Sequence, residues 1–214
     1  YFKDNADEIL IMDVVESLYN RNNKIDIIKN ISKKVSIPII VGGGIRSLED
    51  ADNLFKNGAD KIALNTSVFE NPKLIKKLSD KYGSQSIVLS IEAKRNQKNN
   101  FWEALNNNGR DHTGYEVVEW AKKNINLGIG EILLTSVDND GTQKGLDINL
   151  IDYFLNKISI PTIISGGMKN PEEINKIKNI HNVNGISIGS ILHYKKTNIM
   201  KIKSYAKKHR INVR

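Results

Sequence analysis

The sequence contains no cysteine, which excludes disulfides, thiol nucleophiles and thiolate metal sites and is compatible with a reducing cytoplasm. It also contains no run of about 18 consecutive apolar residues, so we expect no membrane span and no membrane association. The four histidines are too scattered in the sequence to form a metal-ligand cluster. We therefore predict a cytoplasmic protein without a metal or other cofactor.

Acidic residues are fewer than basic ones, 24 against 32, which gives a net charge of +8. The basic residues are concentrated in amphipathic segments such as 73–77 and 201–208. Aromatic residues are not interleaved with basic ones as they are on nucleic-acid-binding surfaces, so we expect no nucleic-acid partner. The excess charge indicates either lysines on solvent-facing helices or an anionic ligand or acidic partner.

The sequence contains an internal repeat with an offset of about 123 residues. Segment 6–10 returns as 129–133, and segment 37–44, Ile-Pro-Ile-Ile-Val-Gly-Gly-Gly, returns as 160–167, Ile-Pro-Thr-Ile-Ile-Ser-Gly-Gly. A constant offset predicts two fused copies of one half-structure. Two such copies would need 246 residues against the 214 present, and the deficit falls before Tyr1. We therefore expect the first strand and most of the first helix to be missing, and the open sheet edges to favour aggregation or strand exchange.

Short apolar runs rich in isoleucine and valine alternate with amphipathic segments along the chain. The runs are continuous rather than alternating, which predicts parallel strands buried on both faces at 8–13, 37–42, 60–65, 86–92, 131–136, 161–165 and 185–189. Helix starts are predicted by capping boxes at 47–50 and 113–116 and by Asn-Pro pairs at 71–72 and 170–171. Residues 96–108 read as a long loop.

Seven strands and one missing strand indicate an α/β fold, a (β/α)8 TIM barrel built from two half-barrels, with residues 1–214 forming a single domain. An open doubly wound sheet is the main alternative, but it does not explain the repeat.

Glycines follow the strands at repeat-related positions. In a TIM barrel the functional groups lie at the carboxyl ends of the strands, where glycine turns let backbone N–H groups approach a phosphate. The repeat therefore predicts two phosphate sites on opposite sides of one mouth and a ligand with a phosphate at each end. The candidates are Gly42–Gly44 with Asn65 and Thr66 in one half, and Gly166 and Gly167 with Gly189 and Ser190 in the other.

Two acidic positions also end strands. Glu92 closes the fourth run, and Asp138 and Asp140 follow the fifth. Carboxylates across a mouth can act as general acid and base if their surroundings separate their pKa values. The structural alternatives are that Glu92 pairs with Lys94 or Arg95 and that the aspartates only hold a turn.

Three charged residues, Glu8, Lys61 and Glu131, begin strands at the opposite end of the predicted barrel. Glu8 and Glu131 are repeat mates. They predict either an ion-paired ring at the bottom of the barrel or ordinary surface salt bridges, which contribute little to stability.

Four segments together resemble the cyclase subunit of imidazole glycerol phosphate synthase, the HisF family: 40–45, 58–66, 92–95 and 130–142. The resemblance implies a histidine-biosynthesis barrel that receives ammonia from a HisH-like glutaminase subunit at its N-terminal face. The ammonia reacts with a bisphosphate, phosphoribulosyl-formimino aminoimidazole carboxamide ribotide, to give imidazole glycerol phosphate and aminoimidazole carboxamide ribotide.

The resemblance also implies roles for individual residues. Phosphate-binding positions of the family fall on Gly44, Asn65, Thr66, Gly141, Gly166, Gly167, Gly189 and Ser190. Catalytic positions fall on Glu92 and Asp140, the ammonia gate on Glu8, Lys61 and Glu131, and the glutaminase-facing side on Asp60 and Gln85.

The sequence departs from the family at the acid/base pair, which consists of two aspartates. The first would precede Tyr1, and the second is replaced by Glu92, one methylene longer. Segments 18–22 and 90–94 are more similar to a HisF-like branch associated with surface-polysaccharide biosynthesis, whose members are thought to pass ammonia to a sugar-amidating enzyme.

Three hypotheses follow: a cyclase, an ammonia-conducting partner protein, and the sister isomerase of the pathway. The isomerase ranks last because it needs no ammonia gate. The cyclase ranks first because both phosphate sites are present.

Overall fold

A parallel sheet forms the centre of the molecule in the computed structural model, which describes residues 1–13 and 21–214. Seven parallel strands follow the order β1-β2-β3-β4-β6-β7-β8, and β5 pairs antiparallel with β4. The strands are β1 (Ile9–Met12), β2 (Ile39–Gly42), β3 (Lys61–Leu64), β4 (Ile87–Asn96), β5 (Phe101–Leu105), β6 (Glu131–Ser136), β7 (Thr162–Ser165) and β8 (Val183–Ser187).

Helices alternate with these strands, as in a (β/α)8 barrel, so the predicted fold class is confirmed. They are α1 (Arg21–Ser32), α2 (Leu48–Lys56), α3 (Thr66–Glu70), α4 (Lys73–Tyr82), α5 (Val117–Ile125), α6 (Ile148–Leu155), α7 (Ile174–Ile177), α8 (Ser190–His193) and α9 (Ile199–Lys208). Short 3-10 segments cover Phe2–Asp4, Ser84–Ser86 and Pro171–Glu173. None of the helices in the described ranges is long and apolar enough to cross a membrane.

The seven predicted parallel strands are confirmed, but the predicted loop at 96–108 is wrong. β4 continues to Asn96, and after a short turn β5 returns beside it, with Glu92 opposite Leu105 and Asn96 opposite Phe101. This hairpin extends β4 beyond the end of its parallel neighbours. The Arg95 guanidinium carbon lies 4.1 Å from the centroid of the Trp102 ring. The ring centroids of Trp102 and Tyr153 of α6 are 5.0 Å apart, so the hairpin packs against the barrel wall.

The side chains inside the barrel form a small apolar cluster that is separate from the larger core between sheet and helices. Ile40, Ala63, Val88 and Leu133 are its buried members. Because side chains alternate along a strand, residues two positions away from these also point inward. On β3 this places Lys61 at one end of the interior and positions Asn65 at the other.

The predicted helix starts are only partly confirmed. Ser47 caps α2 by accepting a hydrogen bond from the Asp50 backbone N–H, 3.1 Å away. At 113–116 the prediction of a threonine cap is wrong, because Glu116 itself caps α5 by accepting from the N–H groups of Val118 and Glu119. Thr113 instead donates to the Ala104 carbonyl in the hairpin, 2.5 Å away.

The predicted side-chain caps at the two Asn-Pro pairs are also wrong. Pro171 does stand at the start of its 3-10 segment, but Asn170 forms no capping hydrogen bond through its side chain. At α4 the residue in the capping position is Pro72 rather than Asn71.

Candidate active site

Glu92 lies on β4 on the same face as Val88 and Ser90, and its side chain is partly buried at the carboxyl end of the barrel. Ser90 Oγ donates to Glu92 Oε1 over 2.9 Å, and Asn65 Nδ2 donates to Oε2. Burial raises the pKa of Glu92, and the nearby charge of Asp140 raises it further, while the hydrogen bonds from Ser90 and Asn65 oppose the rise. The net effect favours the protonated carboxyl, so Glu92 can donate a proton nearer neutral pH than an exposed glutamate.

The structural alternative for Glu92 is not observed. Within residues 1–13 and 21–214, neither Lys94 nor Arg95 forms an ion pair with Glu92. The Arg95 guanidinium instead contacts Asn100 and the Trp102 ring.

The turn after β6 carries the two candidate aspartates, and they differ in their contacts. Asp138 accepts a hydrogen bond from the Arg95 backbone N–H over 2.8 Å, so it joins this turn to the hairpin. The carboxylate of Asp140 is exposed and forms no hydrogen bond with another described residue. Its backbone N–H donates to the Ser136 carbonyl, 2.9 Å away, and fixes the turn. Asp138 therefore has a structural contact, whereas Asp140 is available to a ligand.

The first glycine turn requires glycine for its backbone. Gly43 and Gly44 have φ values of 90° and 67°, a region that favours glycine. A Cβ on Gly43 would lie 2.1 Å from the Asp13 carbonyl oxygen. Gly44, Asn65 and Thr66 line one cavity of about 270 Å³ at the carboxyl end of β2 and β3. The structure therefore brings the three residues of the first predicted phosphate site together.

The side chain of Asn65 is already engaged within the protein. Besides Glu92, its Nδ2 lies 3.1 Å from the Ser90 carbonyl and 3.2 Å from the Leu105 carbonyl. Asn65 thus links β3, β4 and the end of the hairpin. Donors toward the cavity would come from backbone N–H groups and from the Thr66 hydroxyl, which would turn away from its 3.3 Å hydrogen bond to Asn65 Oδ1.

The second glycine turn repeats the backbone of the first. Gly166 and Gly167 have φ values of 97° and 89°, close to those of their repeat mates. A Cβ on Gly166 would lie 2.7 Å from the Ser136 carbonyl oxygen, and one on Gly167 would lie 2.2 Å from the Gly145 carbonyl oxygen. Close packing against β6 and the turn after it therefore requires both glycines. The same Gly166 Cβ would lie 3.5 Å from the Asp140 Cα, so Asp140 stands beside this half of the mouth.

The remaining candidates of the second site have open surroundings. Gly141 is exposed with a φ of 71°, and Gly189 precedes Ser190 at the start of α8. A Cβ on Gly141 or Gly189 would meet no atom within 4 Å. Unlike Gly166 and Gly167, these two positions have no packing reason to be glycine.

At the opposite end of the barrel, Lys61 joins the two candidate glutamates. Its Nζ lies 2.7 Å from Glu131 Oε2 and 3.3 Å from Glu8 Oε1. The side chains retain 21%, 11% and 28% exposure for Lys61, Glu131 and Glu8 respectively. Burial alone would lower the pKa of Lys61, but the hydrogen bonds and charges of Glu131 and Glu8 outweigh it and raise the pKa above 10.5. The predicted convergence of these charges is therefore observed.

The two residues expected to face a glutaminase are both exposed near this end. Asp60 also has a structural contact, because its Oδ2 accepts a hydrogen bond from the Ile39 backbone N–H over 2.8 Å. Gln85 has a 3.4 Å contact from Nε2 to the Tyr82 carbonyl.

Sequence reasoning missed two charged residues near the cavity lined by Gly44, Asn65 and Thr66, called the first cavity below. Asp13 lines this cavity directly after β1, and its position at a strand end could have marked it as a candidate site residue. Lys24 of α1 donates to the Gly43 carbonyl over 2.5 Å and lies 3.8 Å from Asp13 Oδ2. No sequence signal marked Lys24, because its approach depends on how α1 packs.

Residues 18–20 of the segment similar to the polysaccharide branch lie outside the described residues.

A buried carboxylate in the hairpin was also missed. Glu103 is 2% exposed and accepts hydrogen bonds from Thr113 N–H at 2.9 Å and Gly114 N–H at 2.7 Å. Burial alone would raise the pKa of Glu103, but hydrogen bonds from His112, Gly114 and Asn96 outweigh it and lower the pKa to about 2. Glu103 therefore fixes the loop that follows β5.

The described residues contain no cluster of three or more histidine or acidic groups placed to hold a metal ion.

The family model and the similar proteins that match this chain indicate the same family. Residues 1–198 match the family model described as histidine biosynthesis protein. A Legionella pneumophila protein named imidazole glycerol phosphate synthase subunit HisF is 51% identical over 175 residues, 82% of each chain. Proteins of the same name from Prochlorococcus marinus (strain MIT 9312) and Hydrogenobaculum sp. are 41% and 40% identical, covering 100% of this chain and 84% of theirs. The chain therefore belongs to the histidine biosynthesis protein family.

Proposed function

We propose that this protein catalyses the cyclase reaction of imidazole glycerol phosphate synthase. Ammonia and the bisphosphate phosphoribulosyl-formimino aminoimidazole carboxamide ribotide would give imidazole glycerol phosphate, aminoimidazole carboxamide ribotide and one water. The proposal is supported by the three HisF relatives described above, which are 51%, 41% and 40% identical to the chain. The structural observation that carries it is the partly buried Glu92, whose raised pKa suits acid catalysis between two repeat-related glycine turns.

Two sites at the carboxyl ends of the strands would hold the two phosphates. Gly44 and Thr66 with the backbone at Asn65 would bind one phosphate, and Gly189 and Ser190 would bind the other. Backbone N–H groups and hydroxyls suit a phosphate because they donate hydrogen bonds at close range. Gly141, Gly166 and Gly167 would shape the second site. Phosphates held at both ends would place the middle of the ribotide over the mouth, where its reacting carbon atoms lie.

Glu92 and Asp140 would divide the proton transfers. Ring formation requires two carbon–nitrogen bonds to the ammonia nitrogen. One is to the ketose carbonyl carbon, whose oxygen departs as water after protonation, and the other is to the formimino carbon, from which the aminoimidazole nitrogen departs. Glu92, protonated more readily than an exposed glutamate, would supply protons to the departing oxygen and to the departing aminoimidazole nitrogen. Asp140, exposed and without a hydrogen bond to other described residues, would accept protons from the attacking nitrogen.

The opposite end of the barrel would receive the ammonia. Glu8, Lys61 and Glu131 would form the gate, and the apolar interior beyond it, lined by residues such as Ala63 and Leu133, would lead to Glu92. We propose a glutaminase subunit as the source, docked on this face, where Asp60 and Gln85 are exposed. A neutral ammonia molecule crosses an apolar interior at lower cost than an ammonium ion.

Ammonia delivery to another enzyme is the second candidate. It is favoured by the hydrogen bond from Asn65 to Glu92, since that contact gives the glutamate a structural use without catalysis. A protein of this kind would keep the gate and the glutaminase contact without turning over the ribotide.

Turnover with saturating ammonium salt at alkaline pH, without any glutaminase, tests the proposal. We expect the wild-type protein to consume the ribotide and Asp140→Asn to lose at least about a hundredfold in kcat. Asp152→Asn, on the exposed face of α6, is the matched control and should retain wild-type turnover. A folded wild-type protein that binds the ribotide, activates a glutaminase and gives no product would support ammonia delivery instead.

A further inference from the structure

The loop between β5 and α5 carries an arginine that lies at the first cavity and has no assigned role. The cavity that contains Gly44 and Thr66 is also lined by Asn107, Asn108 and Arg110. This loop follows β5, which pairs antiparallel with β4 and lies outside the order of the parallel strands. The first phosphate site therefore has an additional wall that the internal repeat does not predict.

The loop is held in a defined shape by its own backbone. Asn107, Asn108 and Gly109 are consecutive residues with φ values of 49°, 57° and 78°. The Asn106 carbonyl accepts from the N–H groups of Arg110 at 3.0 Å and Asp111 at 3.2 Å. A loop ordered in this way loses little entropy when it binds a ligand.

The loop also lies against the acid group of the proposed reaction. A Cβ on Gly109 would be 3.7 Å from the Glu92 Cβ and 3.3 Å from Val137 Cγ2. Arg110 directly follows this contact. Its guanidinium makes no hydrogen bond or ion pair with another residue of the described ranges, although it stands beside a cavity.

The charges around the cavity favour an anion. Among the described residues that line the cavity, Arg46 and Arg110 are cationic and Asp13 is anionic. Asp13 lies 3.8 Å from Lys24 Nζ, which offsets its charge. Guanidinium groups bind phosphate oxygens through paired N–H donors, more specifically than lysine does.

We propose that Arg110 is a phosphate-binding residue of the first site and sets that site's affinity for the anionic end of the substrate. The proposal rests on the phosphate ligand of the proposed function but not on the cyclase step itself. Arg110 would close the exposed side of the phosphate, opposite the backbone of Gly44 and the hydroxyl of Thr66. The two phosphate sites would then differ, since one is closed by a loop arginine and the other by backbone and serine alone.

The test is an equilibrium titration with inorganic phosphate at low ionic strength, by calorimetry, on wild-type protein and three variants. Arg110→Gln removes the charge, and Arg110→Lys keeps the charge without the paired donors. Lys98→Gln removes a charge from the exposed turn of the same hairpin and is the matched control. Near-ultraviolet circular dichroism checks that each variant keeps the native fold.

We expect the wild type and Lys98→Gln to bind two phosphates equally well. Arg110→Gln should weaken phosphate binding at one of the two sites at least about tenfold. The affinity of Arg110→Lys at that site should lie between those of the wild type and Arg110→Gln. Equal binding by Arg110→Gln and Lys98→Gln would overturn the proposal, as would a wild type that binds no phosphate. Selective weakening by Arg110→Gln in a protein without cyclase turnover would support this role while refuting the proposed reaction.

A kinetic measurement adds a second readout if the protein turns over the ribotide. Arg110→Gln should raise KM about tenfold or more and change kcat by a smaller factor, because the phosphate is bound in both the ground and transition states. A fall in kcat with no change in KM would contradict a binding role.

Discussion

Replacing Lys61 by methionine tests whether the charged cluster at the bottom of the barrel is a coupled unit. The variant keeps most of the side-chain volume but leaves Glu8 and Glu131 without their shared cation. Removing one partner of a fully buried ion pair costs about 3–5 kcal/mol, whereas exposed pairs contribute about 0–1 kcal/mol. With exposures of 21%, 11% and 28% for Lys61, Glu131 and Glu8, we expect solvent screening to reduce the loss to about 2 kcal/mol.

The control is Lys76→Met, which removes a cation from a surface pair. Lys76 and Asp80 are 65% and 58% exposed, so this variant should lose less than about 0.5 kcal/mol. Urea denaturation gives both free energies of unfolding. Adding Glu131→Gln to Lys61→Met should recover roughly half of the loss, because it removes one of two unpaired carboxylates.

The pH dependence gives an independent check on the same cluster. Because the pKa of Lys61 is raised above 10.5 in the folded protein, its stabilising effect is complete below about pH 10.5. It is lost as pH rises through the folded value. The difference between wild type and Lys61→Met should therefore shrink at strongly alkaline pH. Equal losses for Lys61→Met and Lys76→Met, or no recovery in the double variant, would refute this reasoning.

Three further predictions follow from the site. Glu103→Gln should lose about 1–3 kcal/mol at pH 7. The difference in the free energy of unfolding between this variant and the wild type should shrink as pH falls from 4.5 toward 2, because protonation then removes the stabilising effect of the wild-type carboxylate. A difference in urea denaturation that does not change with pH would contradict this. Glu92→Gln should raise the free energy of unfolding at pH 7 while abolishing turnover, since a raised pKa marks a destabilised carboxylate; reduced stability would contradict it. Gly189→Ala should leave the melting temperature unchanged, because its Cβ meets no atom within 4 Å, yet weaken substrate binding about tenfold; unchanged KM would remove Gly189 from the site.

The strands and strand-end turns were predictable because their signals are local. A continuous apolar run ending in glycine marks a buried parallel strand and its turn, and the repeat supplied each signal twice. The convergence of Glu8, Lys61 and Glu131 was predictable for the same reason, since strand starts meet at one end of a barrel.

The hairpin was not predictable by the same reasoning. Residues 96–100 are rich in asparagine and lysine and read as a loop, and Phe101–Leu105 is a strand through its pairing with the extended end of β4. Consequently the sequence did not place Glu103 or Arg110 near the mouth. The cap of α5 at Glu116 was missed because Thr113 is drawn into the hairpin by the Ala104 carbonyl.

The central claim is that the barrel converts the ribotide rather than only conducting ammonia. Rapid-quench analysis of a single turnover, with wild-type protein in excess over the ribotide and saturating ammonium salt, tests it most directly. The account predicts one imidazole glycerol phosphate and one aminoimidazole carboxamide ribotide for each ribotide consumed. Ribotide that is bound and recovered unchanged would contradict it.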